Sequence, residues 1–274
     1  MRSRIKVIYI LSLGHSGSTL LDLFLGSHSH IESGGEILKF YDFMSADSTR
    51  SDEARVCTCG VHVNNCSYWE SVRNSIRDIY GNHEIDLRST ESREFEDHNY
   101  QALEAILQVS GKQIFCDSSK KWSRLQKLLR SELFDVHVVH LVRDGRAVAY
   151  STKRKGQGFF DSLRAWKRMN LQYLSELESN PGVGYTCLRY EDLVCHPRRY
   201  ISEILEAVGL EFEESQLRFW EFDHHNLSGN RMRIKGPQPI KRDTAYLEDL
   251  SNTEWFLGST FAFSGLRQFG YSIR

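Results

Sequence analysis

The stretch that most constrains this chain is Leu13-Gly14-His15-Ser16-Gly17-Ser18-Thr19-Leu20-Leu21. A compact apolar run, Ile5 to Leu11, leads into it, and apolar residues at helical spacing (Leu20, Leu21, Phe24, Leu25) lead out. The pattern predicts a buried strand, a glycine-bearing turn and a helix N-terminus. That geometry suits an anion, because the first helical turn leaves backbone N–H groups unpaired at the positive end of the helix dipole. Gly14 and Gly17 let the main chain approach a ligand, and Ser16, Ser18 and Thr19 add hydroxyl donors. The stretch is not a Walker A loop, which requires G-x-x-x-x-G-K-[ST]: its glycines stand too close and Ser18 occupies the lysine position. A small-molecule kinase therefore loses its main phosphate cation. A plain glycine turn with a serine-rich cap is the blander alternative.

The rest of the chain repeats the strand–turn–helix rhythm. Residues 68–80 and 91–109 show helical spacing, Gln113 to Asp117 reads as a second buried strand, and a basic helix carrying Lys121, Arg124, Lys127 and Arg130 follows. The clearest strand, Val136 to Val142, ends at Arg143-Asp144-Gly145-Arg146 and gives way to a helix. His137 and His140 lie within it and read as packing residues. A helix over 159–178, a short strand over 184–190 and a helix stopped by Gly209 complete the alternation. This predicts one α/β domain with a mostly parallel central sheet flanked by helices. In open sheets of that kind ligands bind at the carboxyl ends of the strands.

A length of 274 residues fits one such domain. The net charge of −1 gives no bulk attraction to nucleic acid. The N-terminal apolar run is too short to span a membrane and lacks a cleavage pattern, so no membrane association and a cytoplasmic location are expected. Cys57, Cys59, His62 and Cys66 offer zinc donor atoms, but their spacing is not that of a zinc finger. A thiol-lined turn or a disulfide is the simpler reading, and no metal is assigned. Residues 45–56 read as a loop. Residues 224–243 are basic and aperiodic, with Arg231, Arg233, Lys235 and Lys241 dense for so neutral a protein, and read as a lid over an anionic ligand.

Three segments in order resemble the sulfotransferases that use 3′-phosphoadenosine 5′-phosphosulfate, of bacterial type and with features similar to the tyrosylprotein sulfotransferase branch. The loop from Gly14 to Thr19 looks like that family's 5′-phosphosulfate loop. Val142-Arg143-Asp144-Gly145-Arg146-Ala147-Val148-Ala149-Tyr150-Ser151 looks like its 3′-phosphate motif, with Arg143 and Ser151 at the family's spacing. Leu188-Arg189-Tyr190-Glu191-Asp192-Leu193-Val194 is the third marker. The resemblance implies a P-loop-NTPase-like sulfotransferase fold over the whole chain. It implies donor contacts from His15, Ser16, Gly17, Ser18, Thr19, Leu20, Arg143, Ser151 and Tyr190, with the lid cations added, and no metal requirement.

One departure stands out: the family usually has Lys or Arg where this chain has His15, whose charge varies near neutral pH. The tyrosylprotein branch carries a catalytic Glu at the separation that Glu36 keeps from His15, so Glu36 is the expected general base, with Lys120 expected at the sulfonate oxygens. Residues 40–110, which carry no nucleotide motif, are expected to cap the acceptor side. The expected acceptor is a hydroxyl or amine of a small natural product. A carbohydrate or peptide-tyrosine acceptor is the alternative; a kinase or a non-catalytic nucleotide-binding protein is more remote.

Overall fold

The structure, a computed structural model, describes residues 2–45, 51, 55–81, 84–234 and 240–273. Most of the expected loop at 45–56, and Lys235, lie outside the described residues. Five strands form the sheet: β1 (Ile5–Ser12), β2 (Ile31–Ser33), β3 (Ile114–Asp117), β4 (Phe134–Val142) and β5 (Tyr185–Arg189). They pair in the order β2-β3-β1-β4-β5 and every pairing is parallel. The expected α/β architecture is therefore present. Order reverses at β1, which lies between β3 and β4, so the crevice opens beside the carboxyl end of β1.

Side chains of a strand point alternately to its two faces, and both faces here are covered. Val7, Tyr9 and Leu11 pack with Phe115 and Val138 on one face, beneath helices α3 (Ser67–Tyr80), α4 (Ser92–Ser110) and α5 (Trp122–Arg130). Ile8 and Ile10 pack with Cys116, Val139 and Leu188 on the other, beneath α1 (Ser18–Gly26), α8 (Tyr190–Cys195) and α9 (Pro197–Ala207). A short helix, α2 (Phe40–Met44), precedes α3 and buries Phe40 and Phe43 in the first cluster. Helices α2, α3 and α4 of the 40–110 segment are thus part of the layer that closes the sheet.

A third cluster forms where Val142 meets α6 (Gly145–Lys153), α7 (Phe159–Glu178) and three C-terminal helices, α10 (Ala245–Asp249), α11 (Asn252–Phe261) and α12 (Phe263–Gln268). The sequence reading does not anticipate α10–α12, whose apolar residues do not fall on one stripe; Phe256 and Phe263 stay exposed.

Two arginines that look like surface cations are internal. Arg124 is buried, with Nε 2.7 Å from Asp117 Oδ2 and Nη1 donating to Asn99 Oδ1 at 2.6 Å. Arg146 is buried against Asp144, donates to the Ser272 carbonyl, and stacks 4.0 Å above the Trp255 ring. Removing one partner of such a pair would strand a buried charge. His140, inside β4, donates from Nε2 to Asn170 Oδ1 at 3.1 Å and lies between Tyr173 and Phe269. Burial lowers its pKa to about 4, so it packs as a neutral ring.

Gly145 is required at the start of α6. A Cβ there would lie 2.6 Å from the Trp166 ring, which its own Nε1 bond to the Arg143 carbonyl (2.9 Å) holds in place. Gly145→Ala should destabilise the protein by about 1–3 kcal/mol. Urea denaturation should show a lower midpoint at unchanged slope; an unchanged midpoint would mean that the Trp166 contact yields freely.

Candidate active site

Because every strand runs the same way, the residues that follow the strands gather on one edge of the sheet. His15 follows β1, Glu36 follows β2, Lys120 follows β3, Arg143 follows β4 and Tyr190 follows β5. All five line one cavity of about 670 Å³, within the range usual for small-molecule sites. Gly17, Ser18, Thr19, Leu20, Ser151 and Lys241 also line it, as do Lys39, Lys155 and Asp243. Lys39, Lys120, Arg143, Lys155 and Lys241 face only Glu36 and Asp243 as carboxylates in this wall. A chain of net charge −1 therefore concentrates positive potential here.

The floor is the N-terminus of α1. Gly17 occupies the N-cap position with φ of 90°, no side chain caps the helix, and its first turn holds no acidic residue. The first N–H groups are thus not satisfied by a capping side chain, unlike those of α6, capped by Asp144, or α11, capped by Ser251. Gly17 is fixed by sterics as well. A Cβ there would lie 2.4 Å from the Tyr190 ring. Tyr190 in turn lies under the Arg143 guanidinium, 4.7 Å from ring centroid to Cζ.

Arg143 is nearly buried. Its Nη1 donates to the His15 carbonyl at 3.0 Å and its Nη2 to Asp243 Oδ2 at 2.9 Å, while Nε is buried with no hydrogen-bond partner among the described residues. Ser151 Oγ donates to the Ala147 carbonyl one turn back, at 2.9 Å, which leaves its lone pairs and its place on the wall.

Glu36 accepts from Lys120 Nζ at 2.6 Å and pairs with Lys39, and Ser228 Oγ lies 3.5 Å from it. Burial pushes its carboxyl up, but the ammonium groups of Lys120 and Lys39 outweigh burial and hold it below its ordinary 4.5. His15 is lowered as well, and here burial and the cations act together: burial, and then Lys155, Arg143 and Lys120, bring its pKa below the ordinary 6.5. Its imidazole is neutral at neutral pH.

Backbone strain concentrates at the same place. His15, Lys120 and Ser228 are the three non-glycine residues with positive φ among the described residues, at 67°, 65° and 64°, and all three line this cavity. Such conformations cost about 1–3 kcal/mol each and persist only where the surroundings impose them.

The 224–234 segment closes one side. Leu227 exchanges backbone bonds with Gly34 and Glu36, Lys39 Nζ donates to Ser228 Oγ at 2.8 Å, and Asn230 N donates to Thr19 Oγ1 at 3.1 Å. Ser228, Gly229, Asn230 and Met232, within the segment expected as a lid, are cavity wall that sequence reasoning did not name singly, since their chemistry carries no signature. The lid cations divide. Lys241 lines the cavity, Arg231 opens a short 3-10 turn (Arg231–Ile234), and Arg233 turns elsewhere, bonding Val56 O, Thr58 Oγ1 and Asn226 O. Ser16 is buried beneath the loop and is not part of the wall.

The sequence model of the sulfotransferase family matches residues 8–214. No curated protein matches the chain. Among solved structures, the chain is similar to the sulfotransferase domain of the Synechococcus PCC 7002 olefin synthase, at 19% identity and a TM-score of 0.59 over 99% of this chain and 97% of that one. It is also similar to the sulfotransferase domain from the curacin biosynthetic pathway, at 17% identity and a TM-score of 0.60 over the whole of both chains.

The Glu36 pairings set a testable electrostatic balance. A carboxyl held below its unfolded value contributes stability that is present above 4.5 and is lost as pH falls through the lower folded value. Lys120→Met removes one of the two ammonium groups but leaves burial in place, so Glu36 should titrate higher. Carbon-13 NMR titration of the side-chain carboxyls should show that upward shift; an unmoved Glu36 signal would mean that Lys39 alone sets it.

Proposed function

The chain belongs to the sulfotransferase family, and from that premise we propose that it transfers the sulfuryl group of 3′-phosphoadenosine 5′-phosphosulfate to a hydroxyl or amine of a small-molecule acceptor. The observation that carries this reading is the convergence of five parallel strand ends on one basic cavity with an uncapped helix N-terminus at its floor. The donor has two anionic ends, and the cavity offers two cationic regions. The α1 turn with His15 and Lys120 fits the phosphosulfate. Arg143 with its unpartnered Nε, Ser151, Lys155 and Lys241 fits the 3′-phosphate, and Tyr190 supplies a flat wall beside it.

The donor supplies an activated sulfuryl group; the chain supplies position and charge. In a loose, in-line transfer most of the help comes from holding the partners and neutralising developing charge. The α1 amides and Lys120 meet the non-bridging oxygens. His15 donates a hydrogen bond toward the bridging oxygen while neutral, and its imidazolium fraction grows as pH falls. Glu36, ionised through the working range, accepts the acceptor's proton. Its depressed pKa makes it a weak base, which suits a reaction in which the bond to the nucleophile forms late.

The lid role belongs to the 224–243 segment, which already bonds Thr19 and Glu36. The acceptor side falls to the 40–110 segment, which follows Lys39 of the wall and whose Phe40, Tyr41, Met44 and Ile76 line a second cavity of about 320 Å³. Two solved domains of this fold come from an olefin synthase and from the curacin pathway, which supports a biosynthetic small molecule as acceptor.

The first test is a thermal melt with 3′-phosphoadenosine 5′-phosphate against ATP with magnesium. A ligand that binds the native state raises the midpoint by mass action. The 3′-phosphorylated nucleotide should raise it and ATP should not; the reverse result would replace the donor. Arg143→Ala should weaken nucleotide binding by about 1.5–3 kcal/mol, the scale of one charge-assisted hydrogen bond. Glu36→Gln should bind nucleotide as before yet lose most turnover, and equal turnover would remove Glu36 from the base role. His15→Arg should flatten the change in nucleotide affinity between pH 7 and pH 5, read by calorimetry beside the parent protein, because a permanent cation replaces one that appears only as pH falls through a pKa held below the ordinary 6.5.

A further inference from the structure

Away from the cavity, the fold brings four soft donor atoms together. The Sγ atoms of Cys57, Cys59 and Cys66 and a ring nitrogen of His225 all lie within 4.8 Å of one another. Four of the six separations are close to those of a coordination shell. Cys59 Sγ and Cys66 Sγ are 3.7 Å apart, Cys66 Sγ and Cys57 Sγ 3.8 Å. His225 Nδ1 is 3.3 Å from Cys66 Sγ and 3.6 Å from Cys57 Sγ. A tetrahedral zinc ion with Zn–S of about 2.3 Å and Zn–N of about 2.05 Å sets its sulfurs about 3.8 Å apart and each sulfur about 3.6 Å from the nitrogen. The three sulfurs are not bonded to one another.

We propose that Cys57, Cys59, Cys66 and His225 hold one zinc ion that fastens the 55–66 segment to the segment that walls the cavity. The ligand set is closed, three thiolates and one imidazole, which is the form of a structural site. The outer contacts fit that role. Tyr68 stacks on the His225 ring at 4.4 Å, with the planes 4° apart, and Trp69 Nε1 donates to the His225 carbonyl at 2.9 Å, so ring and main chain are both oriented. Binding displaces three thiol protons and leaves the site with one net negative charge. Arg233 stands beside it, bonded to Val56 O and Thr58 Oγ1 on the cysteine segment and to Asn226 O on the other. That accounts for a lid cation that does not reach the cavity. Burial pushes the Cys57 and Cys66 thiols up, and a bound dication reverses that tendency.

His62, the histidine nearest in sequence, has another task. Its Nδ1 accepts from Asn64 N at 3.2 Å and caps the short turn Val63–Asn65. The fourth ligand instead comes from a residue 159 positions from Cys66, which is why spacing alone does not reveal the site. None of the four donors lines the active-site cavity, so the ion is not part of the transfer chemistry.

The test is elemental analysis of the full chain purified without chelator, then exchange with cobalt(II). One zinc per chain and a thiolate-to-cobalt charge-transfer absorption are expected. His225→Ala should weaken zinc binding by at least about 10-fold in competition with a chromophoric chelator, since even loss of an outer-shell partner costs that much, whereas His62→Ala should leave it unchanged. Cys59 is exposed, so Cys59→Ser offers a variant that keeps its fold, and it should weaken the cobalt absorption. Protein that carries no zinc and gives no cobalt charge-transfer band, or zinc affinity lost with His62 rather than with His225, would overturn the proposal. These readouts are independent of turnover, so they stand or fall apart from the donor assignment.

Discussion

The uniform direction of the five strands is the constraint on which the rest depends. Parallel pairing sends every strand's carboxyl end to one edge, and the order β2-β3-β1-β4-β5 places the first glycine turn in the middle of that edge. A histidine, a glutamate, a lysine, an arginine and a tyrosine, scattered between positions 15 and 190, become neighbours for that reason alone. Reversing one strand would carry its terminal residue to the opposite side of the sheet. Burial of both faces secures the arrangement, because each strand must find apolar cover above and below.

Within that frame the site is held under electrostatic and conformational load. Glu36 is clasped by two lysines, Arg143 is shared between the His15 carbonyl and Asp243, and three non-glycine residues keep left-handed backbone. None of these arrangements is what the isolated residues would choose. The surrounding core, with its tightly fitted contacts such as Gly17 on Tyr190 and Gly145 on Trp166, supplies the rigidity that keeps them.

The fold was legible in the sequence wherever apolar period and turn chemistry coincided. The first strand and its glycine turn, the 159–178 helix and the long strand ending at Arg143 all stand where their patterns place them. The α10–α12 region was not legible, because its helices bury only scattered residues and carry no continuous stripe. The cavity residues that were legible are those with chemistry at strand ends. Lys39, Lys155 and the wall residues Ser228, Gly229, Asn230 and Met232 were not individually legible, since a surface lysine and a Ser-Gly-Asn run look alike on any loop. Arg124 and Arg233 mislead in the opposite sense: each reads as a solvent or ligand cation, and each is instead taken up by internal carbonyls, hydroxyls or a carboxylate. Whether a cation is free depends on partners far away in the chain, which local sequence does not carry.

The Leu227–Asn230 wall has a consequence for how the molecule is made. Its Ser228 meets Glu36 across 192 positions and its Asn230 meets Thr19 across 211. Contacts of such separation form late, because the intervening chain must first be synthesised and its loop closed. A ribosome-bound intermediate can therefore hold most of the sheet while its anion cradle is still open to solvent along one side. Such a half-made chain has the fold without the enclosure, so the cradle does not close until the chain has emerged past Asn230.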